Sequence, residues 1–140
     1  MLKRPKRVSN MPGLAPGAVV HVGEERTAKV KISVIDYDAS QIKEKILDGA
    51  EKCIDFKNTE TVSWINIDGI HDTGLIENIG KCYDLHPLIP EDIVNTTQRP
   101  KFEDYDSCIF IVLKMLSYNE KNKEIESEQV SLVLGRNFVL

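Results

Sequence analysis

The longest unbroken apolar run in this chain covers residues 108–113, and it limits the possible folds more than any other feature. A run of six residues is far shorter than the roughly 20 needed to cross a bilayer. The wider segment 107–116 is instead typical of a central strand covered on both faces. A polar loop at 119–124 separates it from predicted strands at 129–134 and 138–140. We therefore expect an antiparallel meander in the last third of the chain.

Strand and helix patterns alternate ahead of this meander. We predict strands at residues 19–22, 29–35 and 61–67, and helices at 40–53, 72–83 and 86–95. Ser40 is the expected N-cap of the first helix, and Asp72 or Thr73 that of the second. Pro87 suits the first helical position of the third, whereas Gly49 costs its helix about 1 kcal/mol relative to alanine. Helices interspersed among strands predict an α/β fold with a mixed β-sheet covered by helices.

The composition is that of one globular domain of 140 residues with a net charge of -4. The acidic pI of about 5.4 argues against a nucleic-acid partner. The three cysteines have no CxxC spacing, so a reducing compartment is expected. The N-terminus has no apolar segment that could act as a secretory signal. These features together predict a soluble cytosolic domain.

Two regions are expected along the chain. Residues 1–17 hold four basic side chains and several prolines and glycines, so a flexible N-terminal segment is predicted. Its basic tip is either a solvated tail or a contact with an anionic membrane surface. Residues 18–140 form the α/β domain. Because the chain stops within an apolar strand pattern, this domain is expected to be incomplete at its C-terminus.

The adjacent carboxylates Glu91 and Asp92 are the best candidates for chemistry. Two acidic residues near a helix start are common because they complement the helix dipole. They also suit a hard cation such as Mg²⁺, which prefers oxygen ligands and often takes only one or two carboxylates. Successive helical residues point about 100° apart, so the pair cannot easily close on one ion. Further ligands are expected from elsewhere, for example from another subunit.

No catalytic or cofactor-binding residue is predicted. The chain has no glycine-rich phosphate loop and no GxSxG elbow. Trp64 is expected in the core rather than at a ligand platform. A hydrolase could draw on four acidic and histidine side chains, but the sequence alone gives them no shared geometry: Asp68, His71, Asp72 and His86.

The most specific block of the chain joins His86-Pro87-Leu88 to Glu91-Asp92-Ile93 and is followed by Gln98-Arg99-Pro100-Lys101. This block resembles the N-terminal cytosolic domain of the CorA family of divalent-cation channels. Four further blocks carry the resemblance: residues 13–17, 64–71, 108–115 and 126–132. Together they cover nearly the whole chain.

The resemblance implies the regulatory part of a pentameric Mg²⁺ channel that often also passes Co²⁺. Family members have an α/β/α sandwich that leads into a stalk helix and two membrane helices, which residues 1–140 would precede. Glu91 and Asp92 match the regulatory acidic pair between neighbouring subunits. Leu14 matches a position whose backbone carbonyl faces the same ions.

The implied function is a Mg²⁺ sensor at the cytoplasmic face of the cell membrane. Its implied partners are identical subunits in a pentamer, divalent cations (Mg²⁺ and in some cases Co²⁺) and the membrane through C-terminal helices. Two alternatives remain at this point. One is the domain of a related zinc or cobalt transporter, and the other is a free-standing cytosolic enzyme or adaptor of similar fold.

Overall fold

The computed structural model describes Gly13, residues 15–22 and residues 29–140. The described residues form seven strands: β1 (Lys31–Tyr37), β2 (Ile42–Leu47), β3 (Val62–Asp68), β4 (Lys101–Tyr105), β5 (Cys108–Asn119), β6 (Glu124–Leu134) and β7 (Phe138–Val139). They also form a 3₁₀ helix (Ala50–Phe56) and two α-helices, α1 (Thr73–Cys82) and α2 (Leu88–Val94). Of the predicted flexible segment 1–17, the structure describes Gly13 and residues 15–17. The other residues of that segment lie outside the description.

The strands make one sheet in the order β2-β1-β3-β7-β6-β5-β4. Neighbouring strands are antiparallel, except that β7 runs parallel to β3. The predicted mixed α/β sheet is therefore confirmed. None of the helices that the structure describes is long and apolar enough to span a bilayer.

One face of the sheet carries the hydrophobic core. Alternate residues of the strands point to this face because strand side chains alternate between the two sides. They pack with Cys53 of the 3₁₀ helix, Ile79 of α1 and Ile89 of α2. The fully buried apolar strand residues at this face are Val34, Ile65, Phe110, Val112 and Val133. The Tyr83 hydroxyl at the end of α1 donates to the Cys53 carbonyl at 2.6 Å and joins the helices.

The other face of the sheet is not covered by the described residues. Trp64, predicted in the core, is 52% exposed there, so that prediction is wrong. It lies opposite Ile35 of β1 and Val139 of β7. Leu113 is 44% exposed on the same face, so β5 is not covered on both sides as predicted. The described residues thus form one helical layer and the sheet of the expected sandwich.

The predicted helix at 40–53 is wrong, because β1 turns back into β2 to form a hairpin. The Asp38 carboxylate accepts hydrogen bonds from the Ser40 hydroxyl and from the Ser40 and Gln41 amides. These bonds, led by that of the Ser40 side chain, lower the pKa of Asp38 to about 2. Ser40 therefore belongs to a turn rather than capping a helix. A helical segment begins only after Gly49, as the 3₁₀ helix.

Most other predicted elements are confirmed with shifted ends. Helix α1 has Asp72 as its N-cap, and the Asp72 side chain accepts from the Leu75 amide. The predicted strand at 19–22 is wrong, because only Val22 makes a bridge, to Asn95 beyond α2. The strand β4 was not predicted, and β6 begins at Glu124 rather than residue 129.

A groove opens in the sheet between β3 and β6. Strand β7, which lies between them, has only two residues, and it pairs with Ser63 and Trp64 of β3 on one side and with Leu134 of β6 on the other. Beyond that point residues 65–68 and 127–132 line a cavity of about 680 Å³ together with residues of α1 and α2. In the part of the chain that the structure describes, no strand fills it.

Candidate metal site on helix α2

Helix α2 fixes the position of the acidic pair. It begins after Pro87, one residue later than predicted, and it ends at the cap residue Asn95, as predicted. Pro90 is buried against Gly80 of α1, where a Cβ atom would lie 2.6 Å from the Pro90 Cγ. This close approach holds the two helices together and leaves Glu91 and Asp92 half-buried at the surface of the domain.

The Glu91 side chain faces the segment that precedes β1. Its Oε2 atom accepts a hydrogen bond from the Gly17 amide at 2.7 Å. Gly17 has a positive φ of 88° and lies against Pro87, where a Cβ atom would come within 3.2 Å of the Pro87 Cβ. The chain therefore passes close to the start of α2 at this point. Leu14, the third predicted metal ligand, lies outside the described residues.

The Asp92 side chain faces β4 and has both oxygens engaged. Oδ2 lies 2.5 Å from the Lys101 Nζ, and Oδ1 accepts from the Gln98 side-chain amide. The Lys101 ammonium also lies 2.9 Å from Glu103 Oε1. Partial burial alone would lower the pKa of Lys101, but the hydrogen bonds and charges of Asp92 and Glu103 raise it. The lysine is therefore a cation at neutral pH.

The two carboxylates point to different partners, as expected for successive residues of a helix. The pairing of Asp92 with Lys101 within its own chain was not predicted from the sequence. An incoming cation reaches Asp92 only by displacing Lys101 or sharing the carboxylate with it. The structure thus leaves Glu91 without an ion pair among the described residues and pairs Asp92 with Lys101.

Lys114 and Gln129 hold the carboxyl end of α2, and sequence reasoning missed both. Gln129 Nε2 donates to the Asn95 carbonyl at 3.0 Å, and Lys114 Nζ donates to the Thr96 carbonyl at 2.9 Å. The two side chains also bond each other at 3.0 Å. Burial lowers the pKa of Lys114. A lysine inside the apolar run of β5 was the available signal, because such a charge needs polar partners.

The acidic and histidine residues considered for a hydrolase have separate roles. Asp72 caps α1, and the ring of His86 lies 5.3 Å from that of Tyr105. Within residues 13, 15–22 and 29–140, no three His, Cys, Asp or Glu side chains are grouped so that they could hold a metal ion. A site made of three such side chains therefore does not arise from the described part of one chain.

Comparison with known proteins identifies the family. A model described as CorA-like Mg²⁺ transporter protein matches residues 59–140. Over 135 residues, or 96% of the chain, the sequence is 42% identical to the cobalt/magnesium transport protein CorA of Thermotoga maritima. This chain belongs to the CorA-like Mg²⁺ transporter family. The CorA resemblance of the sequence blocks is thereby confirmed.

A second relative agrees with this family. The chain is 35% identical over 80 residues to YfjQ of Bacillus subtilis, a protein named as a proposed metal ion transporter. The match covers 55% of the chain and 23% of that relative. The match to the Thermotoga CorA covers 38% of its length. The chain thus spans well under half of the relatives that it matches.

Proposed function

We propose that this chain is the cytosolic Mg²⁺-sensing regulatory domain of a CorA-like divalent-cation channel. The proposed metal ligands are the carboxylates of Glu91 and Asp92 and the backbone carbonyl of Leu14. They would act between neighbouring subunits of a pentamer at the cytoplasmic face of the cell membrane. The membrane helices would lie C-terminal to this domain.

The divergent placement of the two carboxylates is the observation that carries this proposal. Glu91 faces the segment at Gly17, and Asp92 faces β4, so neither can complete a site with the other. Both are fixed on a short helix and remain partly accessible. Mg²⁺ keeps several waters and accepts one or two carboxylates. Each carboxylate therefore suits an ion whose other oxygen ligands come from a second subunit.

Metal binding would act by shifting a population of pentamer states. At high Mg²⁺ the ion bridges acidic faces of adjacent subunits and favours a closed arrangement. When Mg²⁺ falls, the acidic faces repel one another and the interfaces loosen. The ion can shift this equilibrium only as far as it binds one arrangement more tightly than the other.

The donor atoms favour Mg²⁺ over zinc as the sensed ion. Carboxylate and carbonyl oxygens suit Mg²⁺ and related hard ions, whereas zinc sites commonly use His and Cys. The Glu91 carboxylate accepts from the Gly17 amide, and the Asp92 carboxylate accepts from the Gln98 side chain and the Lys101 ammonium, so none of these donors is a histidine or cysteine. The name of the Thermotoga relative includes cobalt as well as magnesium, so Co²⁺ is a second ion to test.

The proposal is tested with Asp92→Asn in the full-length protein. The substitution keeps the shape of the side chain and removes its charge, so it should weaken bridging by Mg²⁺ with little change in packing. We expect protection from proteolysis by Mg²⁺ to require a higher concentration, with a shift of about tenfold if one charge-assisted ligand worth roughly 1.4 kcal/mol is lost. Chymotrypsin digestion across a Mg²⁺ series measures the midpoint.

Asp48→Asn is the matched control, because Asp48 is an exposed carboxylate whose partner is Lys52 on the 3₁₀ helix. Its midpoint should equal that of the wild type. Glu91→Gln can still accept from the Gly17 amide through its side-chain oxygen, so it should weaken Mg²⁺ protection without releasing that segment. Unchanged protection in both Asp92→Asn and Glu91→Gln would contradict the sensor role.

A further inference from the structure

We propose that Lys101 is a built-in competitor of the metal ion, and that its ammonium sets the Mg²⁺ concentration at which the site responds. This inference rests on the proposed function, since it assigns a role at the same site. It makes Lys101 a positioning and affinity-setting residue rather than a ligand.

The position of the ammonium supports a competing role. It lies 2.5 Å from Asp92 Oδ2, where a cation bound to that oxygen would be placed. The side chains of Asp92 and Lys101 are only 16% and 25% exposed, so the pair is less screened than an ordinary surface ion pair. The ammonium also lies 5.4 Å from the centre of the Phe110 ring, which is within the range of a cation–π contact.

Glu103 gives the displaced ammonium a second place to bind. Its Oε1 atom is 2.9 Å from the Lys101 Nζ, and its Oε2 accepts from the Tyr105 hydroxyl at 3.2 Å. The hydrogen bond from Lys101 is the main reason why the pKa of Glu103 is lowered. A dication that takes Asp92 therefore leaves Lys101 paired with Glu103 rather than unpaired. This partner makes the exchange reversible at modest cost.

The charges of the three side chains show the direction of the effect. Asp92, Lys101 and Glu103 sum to −1, so a bound dication brings the group to +1. Without the lysine charge the same group carries −2 and becomes neutral when a dication binds. Removing the ammonium should therefore strengthen metal binding, whereas loss of an ordinary stabilising ion pair would give no such gain.

The test is Lys101→Gln in the full-length protein with Mg²⁺ alone as the probe. We expect the midpoint of Mg²⁺ protection to fall on the order of fivefold, the size of one partly screened ion pair. Chymotrypsin is the protease, because trypsin would lose a cleavage site in this variant. Lys101→Met, which keeps an unbranched side chain without the charge, should lower the midpoint in the same way. Lys101→Arg keeps the charge and should leave the midpoint at or above the wild-type value.

Lys43→Gln is the matched control for net charge. Lys43 is exposed on β2, at the opposite edge of the sheet from β4. Six strand spacings separate the two edges, roughly 29 Å, which exceeds the screening length of about 8 Å. Its midpoint should not change. An equal decrease in Lys43→Gln would overturn the inference and indicate a general charge effect.

The double variant separates this inference from the proposed function. In an Asp92→Asn background, Lys101→Gln should have no further effect on the midpoint, because the competition is for Asp92. If Asp92→Asn shifts the midpoint but Lys101→Gln and Lys101→Met do not lower it, the inference fails and the sensor role stands. If Asp92→Asn has no effect, the sensor role of Asp92 itself fails.

Discussion

Trp64 and Phe110 lie on opposite faces of the same sheet and differ completely in burial. Phe110 is fully buried, whereas Trp64 is 52% exposed. We expect Phe110→Ala to cost about 3–5 kcal/mol of unfolding free energy. Trp64→Ala should cost only about 1–2 kcal/mol, because half of its surface stays in water. Urea unfolding of the 140-residue chain measures both. Equal losses would mean that the outer face is covered.

The acidic pair could be predicted as a candidate site, but its partners could not. Adjacent carboxylates at a helix start are visible in the sequence, and so is their divergence along a helix. The Lys101 ammonium reaches Asp92 from another element, nine positions away. Sequence spacing does not reveal such a contact, because it depends on how β4 lies beside α2.

Among the secondary-structure elements, the prediction failed where a segment could be read with either a helical or a strand periodicity. The apolar residues of segment 40–53 have helical spacing, yet Ile42 and Ile46 are 67% and 68% exposed on strand β2. The turn at Asp38 and the pairing with β1 make this segment a strand, and the spacing of apolar residues indicates neither of them. Strand β4 was missed because the short edge strand carries three charged residues. The long apolar β5 was predicted correctly as a strand, but not with one exposed face.

Two glycines of α1 should respond oppositely to alanine. Gly80 meets Pro90 of α2 at a distance that leaves no room for a Cβ, so Gly80→Ala should destabilise the chain by about 1–3 kcal/mol. Gly74 is exposed, with only an Asp72 oxygen 3.6 Å from its added Cβ. Gly74→Ala should stabilise by about 0.5–1 kcal/mol through helix propensity. Thermal unfolding of both variants tests the α1–α2 contact, which equal effects would refute.

For the whole molecule, the sequence predicted the α/β class and the mixed sheet but not which faces are covered. Both faces of β3 and β5 carry apolar residues, so a strand pattern alone indicates burial on both sides. The described helices cover only one side. The outer apolar residues, Val62 and Leu134 among them, form a continuous surface with Trp64 and Leu113 on that bare side.

The groove between β3 and β6 exposes backbone amides in the middle of the sheet, in addition to those at its two edge strands. The Ser63 and Val133 amides donate toward β7. Because the amides of a strand alternate in direction from one residue to the next, those of Ile67 and Ser131 point into the groove. Their neighbours Asn66 and Leu132 point to β1 and β5. Hydrogen–deuterium exchange by NMR should find Ile67 and Ser131 fast and the neighbours slow. Equal protection of these four amides would show that backbone hydrogen bonds close the groove. The sheet would then open as one cooperative unit instead of as two separate halves.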